Sequence, residues 1–218
     1  MIPSGNQPLH SDVLHDCLRR LVPHLDTERV ALTGGVAIGL HLGVSARGRM
    51  RRLAARDVDF VAEDANVVRQ TVTTDFLVSH FHLPQPGYPK FLVQLVDPAT
   101  RLRLDFFPDA LRALNGAPVR DVAGIPLRVL RAQDILDHKL SLLAGASAAS
   151  PIEEKHYVDA LQLGTVCGRE VPELPASHRS TTTYSQDIDA ACRRCEVSQC
   201  AAFPLAPKRA IFDILGYV

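Results

Sequence analysis

Two aspartates spaced two apart, Asp57 and Asp59, stand in the short run Asp57 to Ala62, where apolar residues alternate with them. In a strand, residues i and i+2 project from the same face, so the two carboxylates lie side by side. Such crowding of negative charge is costly unless cations bind there. A third carboxylate, Asp105, interrupts the apolar run Leu102 to Phe107, where a charge is otherwise hard to justify. If that strand pairs beside the Asp57 strand, three carboxylates converge. Hard oxygen donors in a group of three, with room left for water and substrate phosphates, suit Mg²⁺ rather than Zn²⁺. The implied chemistry is phosphoryl or nucleotidyl transfer assisted by two metal ions. The plainer readings are a solvent-facing strand end for Asp57 and Asp59, and a buried carboxylate paired to an arginine for Asp105.

Upstream, Gly34 and Gly35 separate the short run Arg29 to Thr33 from the apolar run Val36 to Leu42. Between a strand and a helix, two glycines let backbone N–H groups approach a phosphate without interference from a Cβ. A Gly-Gly pair alone is more often just a tight turn. Followed one loop later by Asp57-x-Asp59, it supplies the phosphate cradle of a nucleoside triphosphate site whose carboxylates hold the bridging metals. Arg47, Arg49, Arg51, Arg52 and Arg56 crowd the intervening loop. They are able to grip a triphosphate or an RNA backbone, and equally to be a solvated loop.

The elements that must carry these residues follow from periodicity. Val13 to Leu25 repeats apolar residues at helical spacing. Arg29 to Thr33 and Asp57 to Ala62 read as strands, and Val36 to Leu42 as a helix. Asn66 to His80 reads as a helix rich in Val and Thr. Phe91 to Val96 and Leu102 to Phe107 form a hairpin through Asp97-Pro98-Ala99-Thr100, which makes the sheet partly antiparallel. A second short hairpin turns near Gly124. The helices Ala132 to Leu143 and Ile152 to Val166 should pair. Residues 169–186, with four consecutive Ser or Thr and two prolines nearby, read as a flexible connection.

Composition bounds the answer further. The chain has 218 residues, 46% of them hydrophobic, enough for one domain plus an appendage. Lys plus Arg and Asp plus Glu both number 24, so no global field draws in nucleic acid or an anionic membrane. Neither a membrane span nor an export signal is expected, and five cysteines fit a reducing, cytoplasmic setting. Cys192, Cys195 and Cys200, with Cys167 or His178 as a fourth ligand, have partial zinc-site spacing. No G-x-S-x-G elbow, G-x-G-x-x-G turn or Walker loop occurs, so hydrolase and dehydrogenase readings drop away.

The string Leu32-Thr33-Gly34-Gly35-Val36-Ala37, an arginine-rich loop and then Arg56-Asp57-Val58-Asp59-Phe60 resembles the first two motifs of the DNA polymerase β-like nucleotidyltransferase superfamily. The AbiEii-type group, which includes toxins of toxin–antitoxin pairs, is the nearest branch. Its later Lys-Leu and Lys-His-x-x-Asp motifs resemble His138-Lys139-Leu140 and Lys155-His156-Tyr157-Val158-Asp159. The resemblance runs from about Val30 to about Leu163. It departs at Gly35, where many members carry serine, and in the looser arginine stretch before Asp57.

The resemblance implies an α+β nucleotidyltransferase fold, with a catalytic core over 1–130 and a helical C-terminal region over 131–218. It implies an EC 2.7.7-type enzyme in which Asp57, Asp59 and Asp105 hold two Mg²⁺ ions and Asp105 helps deprotonate the attacking hydroxyl. Gly34, Gly35, Arg52 and Arg56 would contact the nucleoside triphosphate, and Lys139 would neutralise its charge. Asp159 would orient Lys139 or touch the incoming base or acceptor. The acceptor is a tRNA end, a protein side chain or a small molecule, and an antitoxin is a further expected partner. The rival is a non-catalytic nucleotide- or protein-binding member of the same fold.

Overall fold

The structure is a computed structural model and describes residues 11–43, 57–82 and 90–180. It is a mixed α+β architecture, a five-stranded mixed sheet flanked by helices. The sheet order is β1 (Val30–Thr33), β2 (Asp57–Ala62), β5 (Arg103–Pro108), β4 (Leu92–Val96) and β3 (Leu77–His82). Only β2 and β5 run parallel; the other neighbours are antiparallel.

Alternation gives the sheet two unlike faces. Val58 and Phe60 of β2, Leu104 and Phe106 of β5, and Val93 and Leu95 of β4 are all buried in one core. Phe60 and Phe106 are register partners, and their rings stack with centroids 4.9 Å apart. The helix α1 (Ser11–Leu21) adds Leu14, Cys17, Leu18 and Leu21 to that core at helical spacing. It ends at a 3₁₀ turn that contains Pro23, whose ring cannot continue an α-helix.

Opposite the core lies a row of polar residues. Register places Thr33, Asp59, Asp105, Gln94 and His80 side by side across all five strands. Residues directly opposite in neighbouring strands share a face, so the row projects together.

The helices are fastened to β1. The helix α2 (Gly34–His41) starts where β1 stops. The hairpin β6 (Val119–Val122) and β7 (Ile125–Arg128) returns the chain to β1, where Leu130 donates its N–H to the Leu32 carbonyl at 3.0 Å. His41 bonds the Leu130 carbonyl at 2.7 Å. Immediately afterwards α3 (Ala132–Ala144) begins, and it packs on α4 (Glu154–Cys167). No described helix is long and apolar enough to cross a membrane.

Two expectations need correction. Residues 66–80 form no α-helix: 3₁₀ turns at Ala65–Val67 and Gln70–Thr74 lead into β3. The stretch is dense in Val and Thr, whose β-branched side chains weaken a helix. Asp64 caps the first turn by accepting the Asn66 N–H at 2.7 Å, and β3 then finds its partner in β4. Of the segment read as a flexible connection, residues 169–180 carry a 3₁₀ turn at Ala176–His178 and the strand β9 (Arg179–Ser180), paired to β8 (Ile152–Glu153). The Arg179 guanidinium lies 5.1 Å from the Tyr157 ring centroid, a tertiary contact that local composition does not reveal.

Candidate active site

Parallel pairing of β2 and β5 builds a two-by-two lattice on the polar face. Asp57 is the register partner of Arg103, and Asp59 is the register partner of Asp105. Asp57, Asp59 and Asp105 therefore occupy adjacent positions, with Arg103 at the fourth corner.

Arg103 engages two of the three carboxylates. Its Nε donates to Asp105 Oδ2 at 2.9 Å, and its second guanidinium nitrogen lies 2.8 Å from that oxygen and 3.4 Å from Asp57 Oδ2. On the other side, Gln94 Nε2 donates to Asp105 Oδ1 at 3.1 Å. Both oxygens of Asp105, which is only 2% exposed, thus accept hydrogen bonds. The plainer reading of Asp105, a buried carboxylate paired to an arginine, describes part of what is found.

Asp59 is the strained member of the group. Burial, followed by the charges of Asp57 and Asp105, pushes its carboxyl up to about 7, while Lys139 and Arg103 pull the other way. Burial likewise raises Asp105, against the pull of Arg103 and Gln94. For Asp59 burial is the larger cause and carboxylate crowding the second, and three hard oxygen donors gathered on one face are the donor type that suits a divalent cation. The closed ion-binding arrangement is not preformed: among the described residues no group of three His, Cys, Asp or Glu side chains is arranged to hold a metal.

The glycine turn meets this cluster directly. Gly34 has φ +62°, and a Cβ added there would overlap the Asp59 carboxylate. Backbone conformation and close approach both demand glycine at this position. A Cβ at Gly35 would meet nothing within 4 Å, leaving space at the start of α2.

Lys139 arrives from α3. Its Nζ lies 3.2 Å from Asp159 Oδ2 and donates to His156 Nδ1 at 2.8 Å, both groups on α4. Lys139 and Asp159 are each only 8% exposed, so the pair is a buried one that fixes α3 against α4. Burial first, then Lys139 and Lys155, hold the His156 imidazole down at about 4, so at neutral pH it is an uncharged acceptor. His138 is also lowered, by burial and by Lys139.

Sequence reasoning missed Arg103 and Gln94 as partners of Asp105, and His156 as a partner of Lys139. The spacing of Arg103 two residues before Asp105 was the available signal, because period two places both on one face. Gln94 had no comparable signal, since its role depends on register with another strand. Arg52 and Arg56, and the cysteines 192, 195 and 200, lie outside the described residues. Cys17 and Cys167 are unpaired thiols.

No family model matches the chain, and no curated protein matches it. Among solved structures, it is similar to an antigenic nucleotidyltransferase-like protein from Paracoccidioides brasiliensis, at 20% identity and a TM-score of 0.46, over 93% of this chain and 94% of that one. It is also similar to the antibiotic-resistance factor ANT(2'')-Ia, at 14% identity and a TM-score of 0.44, over 88% of this chain and 93% of that one.

Proposed function

We propose that the chain is a metal-dependent nucleotidyltransferase with the nucleotidyltransferase fold, moving a nucleoside monophosphate from a nucleoside triphosphate to an acceptor hydroxyl. One observation carries the reading: three carboxylates stand at adjacent positions of one sheet face, with a glycine turn backed against the central one. Two Mg²⁺ ions bound by Asp57, Asp59 and Asp105 would neutralise the triphosphate and activate the attacking hydroxyl.

The chain's own groups do the rest. Backbone N–H groups at the start of α2 hold phosphate oxygens beside Gly34 and Gly35. Lys139, oriented by Asp159 and His156, balances triphosphate charge as a point cation. Asp105 accepts the hydroxyl proton as the acceptor oxygen attacks the α-phosphorus in line, and the bond to the departing pyrophosphate breaks. The motif resemblance implies further phosphate contacts from Arg52 and Arg56, which lie outside the described residues.

On the motif resemblance we further propose an AbiEii-type enzyme, the toxin-like member of a pair with an antitoxin partner, working in the cytoplasm. Its acceptor is a tRNA end, a protein side chain or a small molecule, because acceptor choice lies in peripheral surfaces rather than in the core. The balance of 24 acidic and 24 basic residues argues against a large RNA surface.

The test is transfer of label from an α-³²P nucleoside triphosphate to total RNA, cell protein or small hydroxyl compounds, in the presence of Mg²⁺. Asp57→Ala and Asp59→Ala should each abolish transfer while circular dichroism stays native. Label transfer that survives both substitutions would sink the proposal. One observation favours a second reading, a non-catalytic binder: Arg103 already neutralises part of the cluster. That protein would bind the triphosphate without consuming it.

A further inference from the structure

Arg103 lies within the carboxylate cluster rather than beside it. Its guanidinium reaches Asp57 and Asp105 at once, and its side chain is 16% exposed. Two of its nitrogens converge on the single oxygen Asp105 Oδ2 at charge-assisted distances, and the contact to Asp57 at 3.4 Å is the weaker one. The oxygens it engages, Asp105 Oδ2 and Asp57 Oδ2, belong to the carboxylates that the proposed function assigns to metal. Asp105 Oδ2 already accepts from two guanidinium nitrogens, so a divalent ion that reached this oxygen would lie beside the guanidinium charge and be repelled by it.

We infer that Arg103 is an internal counter-ion that competes with the metal for Asp57 and Asp105, so that loading the site requires its guanidinium to leave them. This inference rests on the proposed reading of the carboxylates as metal ligands. Charge accounting supports it. With Arg103 in place, its guanidinium offsets part of the negative charge of Asp57 and Asp105; with it withdrawn, an arriving ion meets both carboxylates unopposed by it. The guanidinium holds the cluster together when no metal is bound and sets a threshold for metal occupancy.

The sign of one measurement separates this role from a merely structural one. If Arg103 only organised the carboxylates, its removal would disorder the ligands and weaken metal binding. If it competes with the ion, its removal strengthens binding. The experiment titrates Mn²⁺ into the full chain without nucleotide, following free Mn²⁺ by electron paramagnetic resonance and Mn²⁺-induced thermal stabilisation in parallel. Arg103→Met, which keeps the apolar stem, should tighten Mn²⁺ binding about tenfold. It should also lower the metal-free melting temperature and make the metal-induced rise larger.

Arg103→Lys retains a cation but loses the fork that spans two carboxylates, so its affinity should lie between those of Arg103→Met and the native chain. It keeps the test alive if Arg103→Met does not fold without metal. Unchanged or weaker Mn²⁺ binding in both variants overturns the inference and leaves the metal site intact. Absence of Mn²⁺ binding in the native chain and in both variants overturns the inference together with the proposed metal site. Binding by the variants alone is the strongest support.

Discussion

Asp97 and Asp105 are buried aspartates of one hairpin, eight residues apart, and they are held in opposite ways. Asp97 is fully buried and accepts from the Arg20 guanidinium, the Thr100 hydroxyl and the Ala99 N–H. Its partners come from the turn it sits in and from α1. Asp105 also has partners, Arg103 and Gln94, yet it stands next to Asp59, whose carboxyl is pushed up to about 7. Burial alone therefore does not mark a functional carboxylate. Asp97 is held by a guanidinium, a hydroxyl and a backbone N–H, whereas Asp105 stands on one face with Asp57 and Asp59, the group that the proposed function assigns to metal.

The largest effect that separates the two regions is on chemistry. Asp105→Asn should lower label transfer by about a thousandfold, equivalent to roughly 4 kcal/mol of barrier, with little loss of fold. Asp97→Asn should do the reverse, leaving transfer detectable while removing about 3 kcal/mol of stability, because the Arg20 guanidinium and the Thr100 hydroxyl lose a buried partner. Activity assays beside urea titrations check both. Equal losses of stability in the two variants would erase the distinction.

The glycine turn gives the next effect. Gly34→Ala faces a left-handed backbone and the Asp59 carboxylate together, and should cost about 2 kcal/mol or more in denaturant unfolding. Gly35→Ala projects into open space and should change stability by less than about 1 kcal/mol.

Burial and charge crowding predict an unusual gain. Asp59→Asn should raise the melting temperature of the metal-free protein by about 3 °C while abolishing transfer, since it removes the cost of burying a charge and, secondly, the repulsion from Asp57 and Asp105. The pH dependence has a definite sign. The folded-state pKa of Asp59 is raised, so its contribution to stability is present below about pH 4 and is lost as pH rises through about 7. Asp59→Asn should flatten that fall in melting curves taken across this range.

His156 gives the smallest effect, with the opposite slope. Its folded pKa is depressed to about 4, so the unfolded chain takes up a proton first, and stability falls as pH drops from about 6.5 towards 4. His156→Gln should reduce that acid-side loss in melting curves, with Asp97→Asn retaining it.

Much of the plan was legible in one dimension. The strand carrying Asp57 and Asp59 was read to the residue because alternation and a charge pattern coincide there. The hairpin through Asp97 to Thr100 and the pairing of the last two helices were also readable, because local turn chemistry and helical period are properties of short windows. Residues 66–80 misled the reading because a Val- and Thr-rich stretch belongs to whichever partner it finds, here β4.

The sequence by itself determined which residues the proposed chemistry would use: two carboxylates at strand spacing, a third in an apolar run, and a glycine pair ahead of them. Tertiary structure alone decided that Asp59 and Asp105 are register neighbours, that Gly34 closes on Asp59, and that Arg103 lies among the carboxylates. The physical reason is range. Period and propensity act over a few residues along the chain, whereas Asp57 and Arg103 are 46 residues apart and meet only because a parallel ladder aligns their strands.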